Sequence, residues 1–338
     1  MKMRMKIKMK DKDNFIQKFQ SFISEYQSFV ITCHENADGD ALGSSNALAL
    51  FLEALGKEVL MIYPESISSK LDFLPKPKRV HEYTNGYLEN VSAEGVLVVD
   101  SSSYDRVSRV LDDVEYYQLL SIDHHPTNTE FADINIVDET MSSTCELVYS
   151  ILKELDNPIT KDIAKNLYTG IFTDTGSFNY ENVSQFTFEV VKELVEYDVK
   201  PHLIAREINE NMSLNLFYFT REVLNNLKLD ADNRIAWIKC ERELLGKYNL
   251  NDNEIDGLIN YAKKLQPVEF AILFRETEDG NTKVGLRSKT KDVSKIAFEF
   301  GGGGHNRAAG CLIEKDIENA KEQVLQRLKD ELKHKRSD

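Results

Sequence analysis

Asp123, His124 and His125 are consecutive, within Ser-Ile-Asp-His-His-Pro-Thr-Asn at residues 121–128. Carboxylate and neutral imidazole are both good ligands for borderline divalent cations. The run before them, residues 117–122, is short and mostly apolar, like a buried strand. Pro126 biases His125 toward extended backbone and ends regular pairing. The three groups therefore sit where a strand runs out into a loop, the place where sites form in open α/β sheets. Taken alone, the triplet also fits a polar loop with two solvated histidines. The pattern recurs, however. An apolar run at 29–33 leads to His34, Asp38 and Asp40, and another at 95–99 leads to Asp100. A helical pattern at 161–172 leads to Asp174, which is flanked by Thr173, Thr175 and Gly176.

Asp38 and Asp40 are two residues apart, and carboxylates this close repel unless a cation sits between them. Gly39 reads as the residue that permits a tight turn, and Asp40 as the cap of a helix at 41–55. Divided between two cations, the groups make one site of His34, Asp38 and Asp100. The other holds Asp40, Asp100, His124 and Asp174, with Asp100 as the bridge. The mixed set suits Mn2+, with Mg2+, Co2+ or Fe2+ as alternatives, and requires no thiolate. Paired metals are a standard device for the attack of water on phosphorus. His125, one residue past a ligand, then points to the substrate, and Asp123 orients an imidazole from behind. Arg106 and Arg109 follow Asp100 closely and fit either a phosphate contact or a surface charge.

A second constellation lies at 301–310, Gly-Gly-Gly-Gly-His-Asn-Arg-Ala-Ala-Gly. Successive glycines leave backbone N–H groups open to an anion. His305 and the upstream Arg275 and Arg287 supply donors suited to phosphate or carboxylate.

The elements that must position these groups follow an α/β order. A helix at 14–27 precedes the 29–33 strand, and Gly56 stops the 41–55 helix before a strand at 57–63. Residues 66–74 read as a short helix, 132–138 as a return to the sheet, and 142–155 as a helix with Glu146 in its first turn. Further helices are expected at 184–196 and 201–210. Beyond a soft boundary at 212–226 the pattern restarts. Strands at 234–239, 268–275 and 282–287 alternate with helices at 252–264, 293–300 and 316–334, and the turn at 278–281 signals a hairpin.

The 338 residues suit two domains, and 41% hydrophobic with 29% charged residues is a globular composition. A net charge of −14 argues against coating long nucleic acid, but not against a short anionic substrate held locally by metals and arginines. Cys33, Cys145, Cys240 and Cys311 are scattered, which reads as reduced thiols in a cytoplasmic protein. No apolar run approaches the roughly 20 residues of a membrane span. The basic start, residues 1–10, lacks the apolar core of a signal peptide and reads as a frayed terminus.

His34-x-x-x-Asp38-x-Asp40, Asp100, Asp123-His124-His125 and Asp174 resemble the motifs of the DHH phosphoesterase superfamily. Residues 301–305 with Ala308-Ala309-Gly310 are similar to the signature of the associated DHHA1 domain. The resemblance runs from about residue 28 to 330. One departure is Ala37, where the first motif often carries proline. It implies a parallel-sheet DHH domain with helices on both faces at 1–212 (1–13 frayed), a linker region at 213–226, and a smaller α/β DHHA1 domain at 227–338, with the active-site cleft between them. It also implies the metal roles above, and a nucleotide-binding role for Arg275, Arg287, Ser288, Gly302, Gly303, Gly304 and His305. The layout looks like the stand-alone oligoribonuclease (nano-RNase) branch, which also includes pAp phosphatases and pApA phosphodiesterases.

The expected activity is two-metal hydrolysis of short RNA or dinucleotides, with 3′-phosphatase action on pAp. Partners are then a short substrate, no long nucleic acid and no membrane, with a homodimer left open. A family II pyrophosphatase shares the first domain's chemistry but lacks the glycine run. A RecJ-type exonuclease would need an added oligonucleotide-binding domain, for which no length remains. A non-catalytic nucleotide sensor would be marked by a lost aspartate, and none is lost.

Overall fold

The computed structural model describes residues 11–65, 67–83, 91–250 and 252–333. The basic start and His334 lie outside the described residues. The chain divides into two compact units between Asn211 and Met212.

The first unit runs α1 (Lys12–Glu25), β1 (Ser28–Cys33), α2 (Gly39–Ala54), β2 (Glu58–Tyr63), β3 (Val80–Glu82), β4 (Val91–Ser92), β5 (Gly95–Val99), α3 (Ser108–Leu111), β6 (Val114–Glu115), β7 (Gln118–Asp123), β8 (Ile134–Val137), α4 (Thr144–Leu152), α5 (Lys161–Asp174), α6 (Gln185–Glu196) and α7 (Pro201–Asn209). Six strands join in the order β3-β2-β1-β5-β7-β8, all parallel. β5 is apolar throughout because both faces are covered. Leu97 and Val99 enter the core shared with α1, α2, α4 and α5, while Val96 and Val98 enter a second core with α3. Helices thus lie on both faces, but unequally. Among the described residues the second face has the four-residue α3 and a ribbon of β4 and β6. In the 66–74 segment the described residues hold a single 3-10 turn, Ser69–Leu71, in place of the expected short helix.

α2 packs against α5 at van der Waals limits. A Cβ on Gly43 would lie 2.6 Å from the Asn166 carbonyl, and one on Gly170 would lie 2.7 Å from Asp40 Oδ1. Gly39 presses on Thr173. The start of α2 therefore meets the end of α5, which brings Asp40 and Asp174 together. Two expectations change here. Gly39 is needed for this close approach and not for a turn, since its φ is not positive. The cap of α2 is Asp38, whose Oδ1 accepts the N–H groups of Asp40 (2.9 Å) and Ala41 (3.1 Å), so Asp40 lies within the first turn. The helix does end at Gly56, with φ +78, in a Schellman motif: Gly56 N–H donates to Glu53 O and Lys57 N–H to Leu52 O.

The second unit runs α8 (Leu214–Asn225), β9 (Lys228–Asp230), β10 (Ile235–Cys240), α9 (Arg242–Tyr248), α10 (Ile259–Lys263), β11 (Phe270–Glu276), β12 (Thr282–Ser288), α11 (Ser294–Glu299), β13 (Gly303–His305), β14 (Ala308–Ile313) and α12 (Ile317–Lys333). Its strands order β13-β14-β12-β11-β10-β9, with only β10 and β11 parallel. The segment 213–226, expected as a linker, is α8, because Leu216, Phe219 and Val223 recur on one face and enter this unit's core. The helix expected at 252–264 is broken into 3-10 turns and the short α10. The hairpin of β11 and β12 forms as expected, with Gly280 at φ +75 in its turn.

The α2–α5 contact sets a sign. Replacing a helical glycine by alanine ordinarily stabilises a helix. Gly43→Ala should instead destabilise by about 1–3 kcal/mol through overpacking. A urea midpoint equal to the parent's would show that the helices can part at no cost.

Candidate metal centre

Register assembles this site. β1, β5 and β7 are adjacent, and Cys33, Val99 and Ile122 pair across them in one row. The next residues along the three strands are His34, Asp100 and Asp123. Asp100 has φ +57, a left-handed conformation that aspartate tolerates better than most residues. The start of α2 adds Asp38 and Asp40, and the end of α5 adds Asp174.

The donors converge in three overlapping groups: His34, Asp38 and Asp100; Asp40, His124 and Asp174; and Asp100, His124 and His125. Within each, one ligand atom per residue lies within 4.8 Å of the others. His34 Nε2 is 3.6 Å from Asp100 Oδ2. His124 Nε2 is 3.7 Å from Asp174 Oδ2 and 3.9 Å from both Asp40 Oδ2 and Asp100 Oδ1. Both rings are fixed from behind, His34 Nδ1 by Glu35 O at 2.6 Å and His124 Nδ1 by Met141 O at 3.3 Å. A carbonyl only accepts, so Nδ1 carries a proton and Nε2 is the atom turned to the carboxylates, the orientation that a metal ligand requires. His125 differs. Its Nδ1 donates to Asp123 Oδ1 at 2.7 Å, and Asp123 Oδ2 accepts from Asn128 at 2.7 Å.

The electrostatics show what the donor set lacks. Burial, then the charges of Asp100 and Asp174, push the Asp40 carboxyl well above its ordinary range. Burial with Asp38 and Asp100 does the same to Asp174. Burial also opposes charge on Asp100, but His34, His125 and His124 hold it below the usual range. Burial alone would lower His125, yet its bond to Asp123 and the charge of Asp100 carry it up to about 9. Asp40 and Asp174 are thus pushed toward protonation unless cations replace the protons. The donors are oxygen and nitrogen, which suits divalent ions. Burial pushes the Cys33 and Cys145 thiols up, away from the thiolate form that ligates.

The second unit brings some expected substrate residues together and separates others. Arg287, Ala308 and His305 form one row across β12, β14 and β13. Two residues away, Gly285, Gly310 and Gly303 form a row without side chains. Gly303 is open, whereas Gly302 and Gly304 press on Cys311 and Ala308 of β14, and Gly301, with φ +76, ends α11 in a Schellman motif. Strand packing and a helix cap therefore account for most of the glycine run. Two residues depart from the expected seat. Arg275 pairs with Lys283 at the other end of the hairpin, is buried, and donates to Asp252 O at 2.7 Å. Ser288 is buried, and its hydroxyl donates to Lys291 O.

Sequence reading missed Thr144. Residues 142–144 read only as a helix start, and Ser143 does cap α4. The first N–H groups of α4, however, point at Asp40: Thr144 N donates to Oδ2 at 2.6 Å and Cys145 N to Oδ1 at 2.9 Å. The Thr144 hydroxyl donates to Asp100 Oδ1 at 2.7 Å. One residue thus holds a carboxylate from each half of the cluster. The available signal was a hydroxyl at a helix start, which is ambiguous between a cap and this role. Thr144→Val should weaken Mn2+ binding about 10–100-fold, the range for such supporting groups, while Thr144→Ser stays near the parent. Equal affinities for Val and Ser by calorimetry would remove the hydroxyl from this role.

Residues 28–171 match the DHH family, N-terminal domain, and residues 235–334 match the DHHA1 domain. The bifunctional oligoribonuclease and PAP phosphatase NrnA of Thermus thermophilus is 30% identical over 89% of this chain and 89% of its own. The probable enzyme of the same name from Streptococcus mutans is 29% identical over 92% of this chain and 97% of its own. An exopolyphosphatase-related protein from Bacteroides fragilis superposes with a TM-score of 0.86 at 29% identity, covering 95% of this chain and 98% of that one. Among the described residues no helix is long and apolar enough to cross a membrane. With both domains matched in order and relatives aligned along nearly its whole length, the chain belongs to the DHH family of phosphoesterases, a DHH domain followed by a DHHA1 domain.

Proposed function

We propose that this phosphoesterase hydrolyses short oligoribonucleotides and dinucleotides such as pApA to mononucleotides, and removes the 3′-phosphate of pAp. It does so with two divalent ions, Mn2+ by preference. His34, Asp38 and Asp100 hold one, and Asp40, Asp100, His124 and Asp174 the other. The observation that carries this is the position of Asp100, within reach of His34 on one side and His124 on the other, with both Nε2 atoms turned inward. The names of the aligned relatives, oligoribonuclease and PAP phosphatase, support the oligoribonucleotide and pAp parts of this reading. The four free, buried cysteines support a cytoplasmic location.

Ions bound there would lower the pKa of the attacking water and neutralise charge on the phosphoryl oxygens. The chain's own residues do the rest. Asp123 holds the Nδ1–H of His125, which fixes the ring and favours its protonated form. His125 Nε2–H then gives its proton to the leaving oxygen. Thr144 and Cys145 N–H groups hold Asp40 in place as charge shifts. In the second unit Arg287, His305 and the open Gly303 hold the nucleotide.

Length selection tests the substrate class. A chain of net charge −14 repels long polyanions, so activity should fall steeply as RNA grows past about five units. Equal rates on RNA of about 5 and about 24 units would favour a processive exonuclease.

A generic ester separates chemistry from grip. Arg287→Ala and His305→Ala should each weaken use of pApA by about 1–3 kcal/mol, the range for a lost charge-assisted hydrogen bond. On bis-p-nitrophenyl phosphate, which has no nucleotide, both should match the parent while His124→Ala is inactive. Loss of the generic activity in the second-unit variants would place those residues in the reacting centre.

A further inference from the structure

Two arginines follow β5, and the reaction above uses neither. Arg109 is engaged, its guanidinium 5.1 Å from the Tyr83 ring centroid. Arg106 ends the 3-10 turn Tyr104–Arg106. Its carbonyl accepts the N–H of Glu35, the residue after His34, at 3.1 Å. The other end of the same loop is held by Asn128 Nδ2 on Ser101 O at 3.1 Å and by Thr129 N–H on Ser102 O at 2.9 Å. The loop therefore crosses the strand ends between the residues that follow His34 and those that follow His125.

The Arg106 side chain is half-buried, yet among the described residues it donates no hydrogen bond and makes no ion pair. Its charge is felt inside the cluster, at His125 and at Cys33. A guanidinium is always charged, and its fork matches carboxylate and phosphate alike. On a loop tied to the residues that follow His34 and His125, an arginine left unpaired is one held clear of the cluster's carboxylates.

Charge counting says what it is kept for. Two divalent ions would offset the four carboxylates of Asp38, Asp40, Asp100 and Asp174, so the loaded ligand set is close to neutral. A phosphodiester brings one further negative charge, and a terminal monoester brings about 1.5 to 2. The monoester therefore needs a cation that the diester needs less.

We propose that Arg106 binds the non-bridging oxygens of the substrate phosphate, and that removal of a terminal 3′-phosphate depends on it more than diester cleavage does. This rests on the function proposed above. Three measurements on Mn2+-loaded protein test it: turnover of pAp and of pApA, binding of inorganic phosphate by calorimetry, and metal bound per chain. Arg106→Gln should lower kcat/KM about 100-fold on pAp and about tenfold on pApA, the span for losing charge-assisted hydrogen bonds. It should weaken phosphate binding and leave metal content unchanged, and Arg106→Lys should recover part of the loss on pAp. Unchanged kinetics, equal losses on both substrates or a loss of metal would each overturn the assignment. If the parent cleaves neither nucleotide while Arg106→Gln still weakens phosphate binding, the proposed substrates fail and the phosphate contact stands. If the parent cleaves both and phosphate binding is the same in the variant, the contact fails and the substrates stand.

Discussion

Mutual repulsion among Asp38, Asp40, Asp100 and Asp174 is the constraint around which the first unit is arranged. Bringing these carboxylates together, with Asp40 and Asp100 buried and Asp174 partly so, costs far more than any single packing contact returns. The chain meets this cost with fixed dipoles and hydrogen bonds. The first amides of α2 hold Asp38, those of α4 hold Asp40, and the Thr144 hydroxyl holds Asp100. These partners fix where the charges stand without neutralising them, so the carboxyls of Asp40 and Asp174 remain shifted toward protonation. A cation site is the physical complement of that arrangement.

Holding the charges at such range requires stiff scaffolding. Parallel strands covered on both faces provide it, because a one-residue slip of β5 would turn Asp100 to the opposite face of the sheet. The α2–α5 contact provides the rest. Glycines at 43 and 170 let two backbones meet, and the contact fixes the distance between the first turn of one helix and the last residue of the other. Precision at the centre is thus inherited from places that carry no chemistry.

Much of this was legible in the sequence, and the failures have physical causes. Apolar runs ending in Asp or His announced strand ends, because both faces of a buried strand must be apolar. Gly56 announced the end of α2 because only glycine enters the left-handed cap cheaply. The assignment of the α2 cap slipped by two residues, because two aspartates around a glycine give the same signal in either frame. Thr144 was unreadable, since a hydroxyl at a helix start looks alike whether it bonds its own helix or a distant carboxylate. Arg275 and Arg287 looked like one group in sequence. The antiparallel register of β11 and β12 sends them to opposite ends of the hairpin, and no local pattern encodes that separation.

The borders of the two sheets have a consequence of a different kind. Each six-stranded sheet ends in strands of three or four residues, β3 and β8 in one, β9 and β13 in the other. An unpaired strand edge is a template on which another chain can add, and its danger grows with its length. Long, flat strands are therefore kept inside, where both ladders are filled, and the borders offer too few free amides and carbonyls to seed a growing stack. β13 in addition begins with two glycines, which weaken any cross-chain ladder by adding backbone freedom and no side-chain grip. The same short strand that leaves Gly303 uncovered thus also guards the chain against fibrous assembly.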